Sequence, residues 1–339
     1  MNEAPQGPLR TSLFRASFPV RAADRAAVGA ASREAIFVRV EQGGRAGFGE
    51  CAPLGVDAAE ALARCAKALG AWSPEGASPD RDRAIAAMPA PARFAASGAL
   101  EVLRGLGTTA HAPVPAASYF GGSPDALDDS ALDALRSGSS IKLKVGRAPP
   151  ADERRMIGRV LEAAPGVPVR LDGNRMLTVD ECVALVRGFP ADRFEYLEEP
   201  IADPARLPRL RECTGIAVAL DELVADPADE ARSLRDRLSD AGDACAWVVR
   251  MSRVGTLAEV RALMRRAADR GCDPVLSTAY ESSWTIRIAA HVAHGAGARM
   301  RAHGLGTAHV LERDACRPAT LADGCVPCEP LPESPEGIT

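Results

Sequence analysis

Residues 141–146, IKLKVG, set two lysines two positions apart inside an otherwise apolar run. In a β-strand, residues i and i+2 leave the same face, so Lys142 and Lys144 point together while Ile141, Leu143 and Val145 point the other way. An exposed edge strand would place the charged face in water. A barrel strand would place it in the interior, with the apolar face against surrounding helices. The choice is made downstream, where runs of the same kind recur: PVRLDGN (168–174), FEYLEEP (194–200), IAVALDE (216–222), CAWVVRMS (245–252), DPVLSTAYESS (273–283) and RMRAHGLGT (299–307). Lys144, Asp172, Glu198, Asp221, Arg250 and Ser277 stand near the ends of successive runs at intervals of 23 to 29 residues, the length of one βα unit. Polar residues at strand end after strand end gather around one mouth in a closed barrel, whereas an open sheet would spread them along an edge. No glycine-rich phosphate loop follows the first run, which counts against a dinucleotide-binding fold.

The segment before the barrel has a different texture. SLFRASFPV (12–20) and EAIFVRVEQGGRAGFGE (34–50) alternate apolar and polar residues, the second around a GG turn, as antiparallel strands do. DAAEALARCAKALGAW (57–72) and PARFAASGALEVLRGLG (91–107) have helical spacing, with Pro89 and Pro91 separating the helices. Residues 1–112 read as a small α+β unit, and APVPAASYF (112–120) opens the strand–helix alternation.

The 339 residues include 41 basic and 45 acidic side chains, a formal net charge of −4 with both signs interspersed, which offers nucleic acid or an acidic membrane no attractive field. The start, MNEAPQGPLRTSLF, lacks a basic region followed by a long apolar run, and no stretch reaches the length of a bilayer span, so a cytoplasmic location is expected. Nine scattered cysteines suit reduced thiols, and CVPC (325–328), with only Cys316 nearby, lacks the second ligand pair of a zinc site.

Asp172, Glu198 and Asp221 each follow an apolar run in consecutive units. One such acid is most simply a helix cap, but three converging carboxylates repel one another and require a cation. Oxygen-only ligands favour Mg²⁺, with Mn²⁺ as the substitute ion. The neighbouring ammonium groups of Lys142 and Lys144 should depress each other's pKa, leaving Lys144, nearer the mouth, able to act as a base near neutral pH.

These residues resemble the enolase superfamily in its muconate lactonizing enzyme branch. GFGECAPL (47–54) is similar to that branch's capping-domain signature, IKLKVG to its KxK strand, and LDGN, LEEP and LDE to its metal strands. The resemblance implies a modified TIM barrel, (β/α)₇β, over residues 113–308, covered by an N-terminal α+β capping domain that residues 309–339 complete. It implies Asp172, Glu198 and Asp221 as Mg²⁺ ligands, Lys144 as acid/base, and Asn174 and Glu222 as supports behind the ligands. It further implies a small-molecule carboxylate substrate and a homo-oligomer, with lid loops near Phe14–Val20 and Gly47–Val56. Within the superfamily, LSTAYESSWTIRIAAHVA and AHGLGTA resemble most the o-succinylbenzoate synthase family, whose lyases dehydrate a cyclohexadiene carboxylate on the way to menaquinone.

Arg250 departs from the family pattern V-x-K-P, whose lysine faces the first base across the substrate. A guanidinium stays protonated at any useful pH, so two-base chemistry through this position, as in N-succinylamino acid racemases or dipeptide epimerases, is disfavoured. A syn elimination of water needs one base only, and the opposite group need only be cationic. Arg250 could equally fill the substrate space or pair with Asp221 and Glu222, the mark of altered chemistry or of a catalytically silent homologue; another cycloisomerase of the branch is a further alternative. Arg170, two before Asp172, shares its inward face and is expected to meet a substrate carboxylate or neutralise the metal-site acids. Ser277, Glu281 and Ser282 are read as pocket wall, with helix capping by Ser282 or Ser283 as the competing reading. Gly304 and Leu305 belong to a GLGT loop whose N–H groups suit a carboxylate. His291 and His294 fall on a helix facing the barrel exterior; of the late histidines only His303 is expected beside the site.

Overall fold

The computed structural model describes residues 7–75, 78–296 and 301–338. Residues 1–6, inspected above for a leader, and Arg299 and Met300 of the last apolar run lie outside the described residues.

The N-terminal unit is an antiparallel sheet of β1 (Arg10–Pro19), β2 (Ser32–Gln42) and β3 (Arg45–Cys51), in that order. The β2–β3 hairpin turns at Gly43 and Gly44, both at positive φ. Helices Ala58–Gly70, Ser78–Ala86 and Ala90–Leu103 cover the sheet. Ile36, Val38 and Val40 pack with Leu69, Ala95 and Ala99 in one buried cluster. The last helix lies directly on β3, because a Cβ at Gly47 or Gly49 would collide with the carbonyl oxygens of Ala99 or Ala95. Those are the two glycines of GFGE, and only glycine permits that approach.

The barrel strands are β4 (His111–Phe120), β5 (Ser140–Lys144), β6 (Val169–Asp172), β7 (Phe194–Glu198), β8 (Val218–Leu220), β9 (Ala246–Arg250), β10 (Asp273–Ser277) and β11 (His303–Gly306). They pair in sequence order, all parallel, and β11 pairs with β4 to close the ring. A crossover helix lies between each successive pair, from Asp129–Leu135 to Ser283–Gly295, and none follows β11, which makes a (β/α)₇β barrel. Leu143, Leu171, Leu197, Leu220, Val249 and Leu276 face outward into the helix layer, each at most 2% exposed.

Ladder register sets the height of each inward side chain. Lys144, Asp172 and Glu198 are paired neighbours at the C-terminal ends of β5, β6 and β7, while Lys142, Arg170 and Tyr196 form the layer beneath. Arg250, Ser277 and Gly304 make the corresponding row on β9, β10 and β11. Since β5 and β9 stand four apart in an eight-membered ring, Lys144 and Arg250 enter from opposite sides.

The C-terminal segment divides instead of simply completing the cap. Arg21 donates its N–H to Val310 O (3.0 Å) and Glu312 donates to Pro19 O (2.8 Å), joining the end of β1. Farther on, β12 (Cys325–Cys328) pairs antiparallel with barrel strand β4, so the CVPC stretch is a strand. All nine cysteines are free thiols. No helix among the described residues is long and apolar enough to cross a membrane.

Candidate active site

A cavity of about 550 Å³ lies between the strand ends and the cap, lined by Lys142, Lys144, Asn174, Glu222, Arg250 and Ser277 among others. In contact with the lining residues Lys142, Lys144 and Arg250, Asp172, Glu198 and Asp221 bring one carboxylate oxygen each within 4.8 Å of the others, and all three side chains are buried. Three hard oxygen donors converging at this separation fit a divalent cation such as Mg²⁺.

Cationic side chains surround the triad. Lys142 Nζ lies 2.7 Å from both Asp172 Oδ2 and Glu198 Oε1. Lys144 Nζ lies 2.6 Å from Asp172 Oδ2 and also donates to Asn174 Oδ1. Arg250 forks onto Asp221, with Nε 2.7 Å from Oδ1 and Nη2 on Oδ2. The arginine therefore points into the site and pairs with a metal-site carboxylate.

The two lysines do not depress each other equally. Burial lowers both, but Asp172 and Glu198 override it at Lys142 and hold that ammonium well above its ordinary value. At Lys144 burial prevails, aided by the charges of Lys142 and Arg250, and the pKa is lowered. Glu198 is pushed up to about 8 by burial and by the negative charges of Asp172 and Asp221. Asp172 is held well below the carboxylate range: burial opposes this, and Lys142, Lys144 and Arg250 outweigh it.

Supporting contacts fix the acids in place. Asn174 donates through Nδ2 to Glu222 (3.2 Å), whose pKa burial and Asp221 raise to about 7. Glu199, the second acid of LEEP, was missed as a positioning group: it is fully buried and accepts the N–H groups of Asp221 (2.7 Å) and Leu223 (3.0 Å), anchoring the end of β8 to β7.

The model of the family described as enolase C-terminal domain-like matches residues 127–335. The o-succinylbenzoate synthase of Enterobacter sp. (strain 638) is 32% identical over 268 residues, covering 77% of this chain and 79% of that one. The chain belongs to the enolase superfamily. Solved structures share the superfamily architecture: the L-Ala-D/L-Glu epimerase from Bacillus subtilis superposes with a TM-score of 0.78 at 19% identity, covering 98% of this chain and 100% of that one. The o-succinylbenzoate synthase from Thermosynechococcus elongatus BP-1 gives 0.63 at 23% identity, covering 88% and 92%. At these identities the structures speak for the fold, and the sequence relatives for the family. The chain is an enzyme of this superfamily.

Several expected pocket residues of this superfamily member sit elsewhere. Arg170 shares the inward face with Asp172, but its guanidinium turns toward the strand starts, bonded to Glu195 (2.6 Å) and stacked on Tyr196. It does not line the cavity. Glu281 is buried below the wall, accepting from Ser252 Oγ (2.6 Å) and from Ala279 N. Ser282 neither lines the pocket nor caps its helix through its side chain; its N–H and Oγ bond Glu50 of the cap at 3.0 and 2.6 Å. Ser277 and Gly304 do line the cavity, whereas Leu305 alternates away and is fully buried. His303 starts β11 instead of ending it, accepts Leu276 N–H (3.0 Å), and is held neutral by burial, its pKa lowered to about 4.

The first lid expectation also shifts. Residues 14–19 are part of strand β1, and the cap contributes Ala26–Gly29 to the cavity instead. From the second expected loop, Leu54, Gly55 and Val56 line it. Tyr119, Arg147, Arg253, Thr278, Tyr280 and Thr307 are lining residues that sequence reasoning did not single out.

Proposed function

We propose that this enzyme is a Mg²⁺-dependent o-succinylbenzoate synthase-type lyase, which removes the α-proton of a small-molecule carboxylate and eliminates water. The carrying observation is the asymmetry across the cavity, a lysine with a lowered pKa on β5 against an arginine on β9. Lys144 takes the α-proton and delivers it to the departing hydroxyl; C–H and C–O bonds break on one face, a C=C bond forms, and water leaves. Asn174 and Asp172 orient the ammonium that carries the proton between the two steps. Asp172, Glu198 and Asp221 would hold the Mg²⁺, which supplies positive charge for the negative charge a carboxylate gains on losing its α-proton. Arg250, held above the ordinary guanidinium value against burial by Asp221 and the other acids, supplies a second fixed positive charge and no base. Racemization or epimerization through a second base at this position is correspondingly disfavoured.

The relatives named o-succinylbenzoate synthase support the dehydration over the other chemistries of the branch. A second reading, a disabled synthase, has one observation in its favour: the Arg250 fork engages both oxygens of Asp221. The test is to incubate the purified protein with Mg²⁺ and the cyclohexadiene precursor of o-succinylbenzoate, following loss of diene absorbance, with and without chelator. Mg²⁺-dependent turnover is expected. Silence in the parent with recovery in Arg250→Lys would favour the disabled synthase, and silence in both would sink the dehydratase reading.

A further inference from the structure

Tyr119 on β4 and Tyr280 in the loop after β10 both line the cavity, and their hydroxyl oxygens lie 2.5 Å apart. Two hydroxyls that share one hydrogen bond use one of their two protons, so one O–H remains to donate elsewhere. Neither oxygen has another hydrogen-bond partner among the described residues. Burial raises both phenols above their ordinary value, so the pair presents a donor and not an oxyanion.

The surroundings indicate what the donor faces. Arg147 lines the same cavity and its charge acts on both phenols. Its guanidinium has one long contact, to Asn174 Oδ1 at 3.5 Å, and no carboxylate partner among the described residues. A side chain added at Gly121 would strike both the Tyr119 hydroxyl and Ala27, which places that phenol under the lid segment Ala26–Gly29. An O–H donor beside an uncompensated guanidinium, at the lid side of the pocket, suits an anionic acceptor.

Tyr280 is held there by an unusual device. Its backbone is left-handed, φ +59°. Arg33, 4% exposed, donates to Tyr280 O and Ala279 O (both 3.3 Å), and to Pro53 O (2.9 Å) and Ala52 O (2.6 Å). One buried guanidinium thus grips the Tyr280 loop and the lid loop beside Leu54 together. A non-glycine residue keeps such a conformation only where its surroundings over-determine it.

We propose that the Tyr119–Tyr280 pair is the binding subsite for a second carboxylate of the substrate, distal to the reacting carbon, and that Arg33 is the residue that positions Tyr280. The identity of the ligand rests on the dehydratase reading; the subsite itself does not. The test is calorimetric binding, with Mg²⁺ present, of o-succinylbenzoate and of its monoester at the succinyl carboxylate, to the parent and to Tyr119→Phe, Tyr280→Phe and Arg33→Lys. The phenylalanine variant that removes the tyrosine donating to the ligand should bind the diacid about tenfold more weakly, the loss of one hydrogen bond to a charged group, and the other variant, which removes only that donor's partner, should lose less. Binding of the monoester should be unchanged. Arg33→Lys, which cannot bridge four carbonyls, should show the same selective loss, with a raised KM and an unaltered kcat. Equal losses for both ligands, or none, would overturn the proposal. If the parent does not bind o-succinylbenzoate, the same series with an N-succinylamino acid and its succinyl ester separates the two ideas: selective loss there keeps the subsite and discards the dehydratase reading, and failure to bind any dicarboxylate removes both.

Discussion

Glu198 at the barrel mouth and Glu50 at the joint between cap and barrel are both 1% exposed, and burial is the main reason each titrates high, at about 8 and about 7. Their partners differ in kind. Glu198 sits among full charges, with the ammonium of Lys142 attracting it and the carboxylates of Asp172 and Asp221 repelling it. Among the described residues Glu50 accepts only from neutral donors: Ser282 N–H (3.0 Å), Ser282 Oγ (2.6 Å) and Thr285 Oγ1 (2.7 Å). The first region is organised around charge and should fail when a charge is deleted. The second is organised around shape and hydrogen bonding, and a neutral isostere should serve it as well or better.

The largest expected effect lies in the charged region. Lys144→Ala should lower turnover by about 10²- to 10⁴-fold, the usual worth of a positioned acid–base group, with little change in the thermal midpoint. Next is Glu198→Gln, which keeps the shape and deletes a ligand charge. Mg²⁺ affinity measured by titration calorimetry should fall by more than about a hundredfold, the upper range that outer-sphere partners alone cost. Intact Mg²⁺ binding in this variant would mean that the two regions are not different in kind.

Glu50→Gln sharpens the contrast from the other side. The folded Glu50 carboxyl titrates at about 7 against an unfolded value near 4.5, so in that window the native state binds more protons than the unfolded chain. Its contribution is full below the unfolded pKa and is lost as pH rises toward 7, by at most about 3 kcal/mol. Urea denaturation at pH 5 and pH 8 should show that loss in the parent and a smaller one in Glu50→Gln, with turnover unchanged; an identical pH slope in both proteins would refute the assignment. The smallest effect is expected from Arg250→Lys, which keeps the charge and gives up part of the fork on Asp221. Dehydration should change by no more than about tenfold, the worth of one charge-assisted hydrogen bond. Chiral analysis with mass spectrometry in deuterated water should detect inversion of an N-succinylamino acid with deuterium uptake at its α-carbon, which the parent, with a base on one face only, lacks.

The same contrast explains what could be read from the residues alone. Strand period two and the βα interval place Lys144, Asp172, Glu198, Asp221 and Arg250 around one mouth without knowledge of any contact, because backbone geometry decides it. Period two gives a face but not a depth, and so Arg170, correctly directed inward, was assigned to the substrate although its long side chain runs down to Glu195. The roles of Glu281 and Ser282 depend on packing that no local pattern encodes; the partner of Ser282 is Glu50, 232 residues away. Tyr119 and Tyr280, 161 residues apart, carry no shared signal before the barrel closes. Mutual depression of the two lysines failed at Lys142 because it lies between two carboxylates, a fact of register and not of spacing.

The C-terminal segment has a consequence for how the chain is made. Strand β1 leaves the ribosome about 290 residues ahead of its partners, because the backbone partners of Pro19 and Arg21 are Glu312 and Val310. The sheet and helices of the cap have their own buried cluster and can assemble early. The first half of β4, residues 111–115, waits for its ladder partner β12 in the same way. Co-translational folding of this enzyme should therefore proceed with an assembled but undocked cap, and the pocket between cap and barrel should acquire its final shape only after residues 310–312 and β12 have emerged.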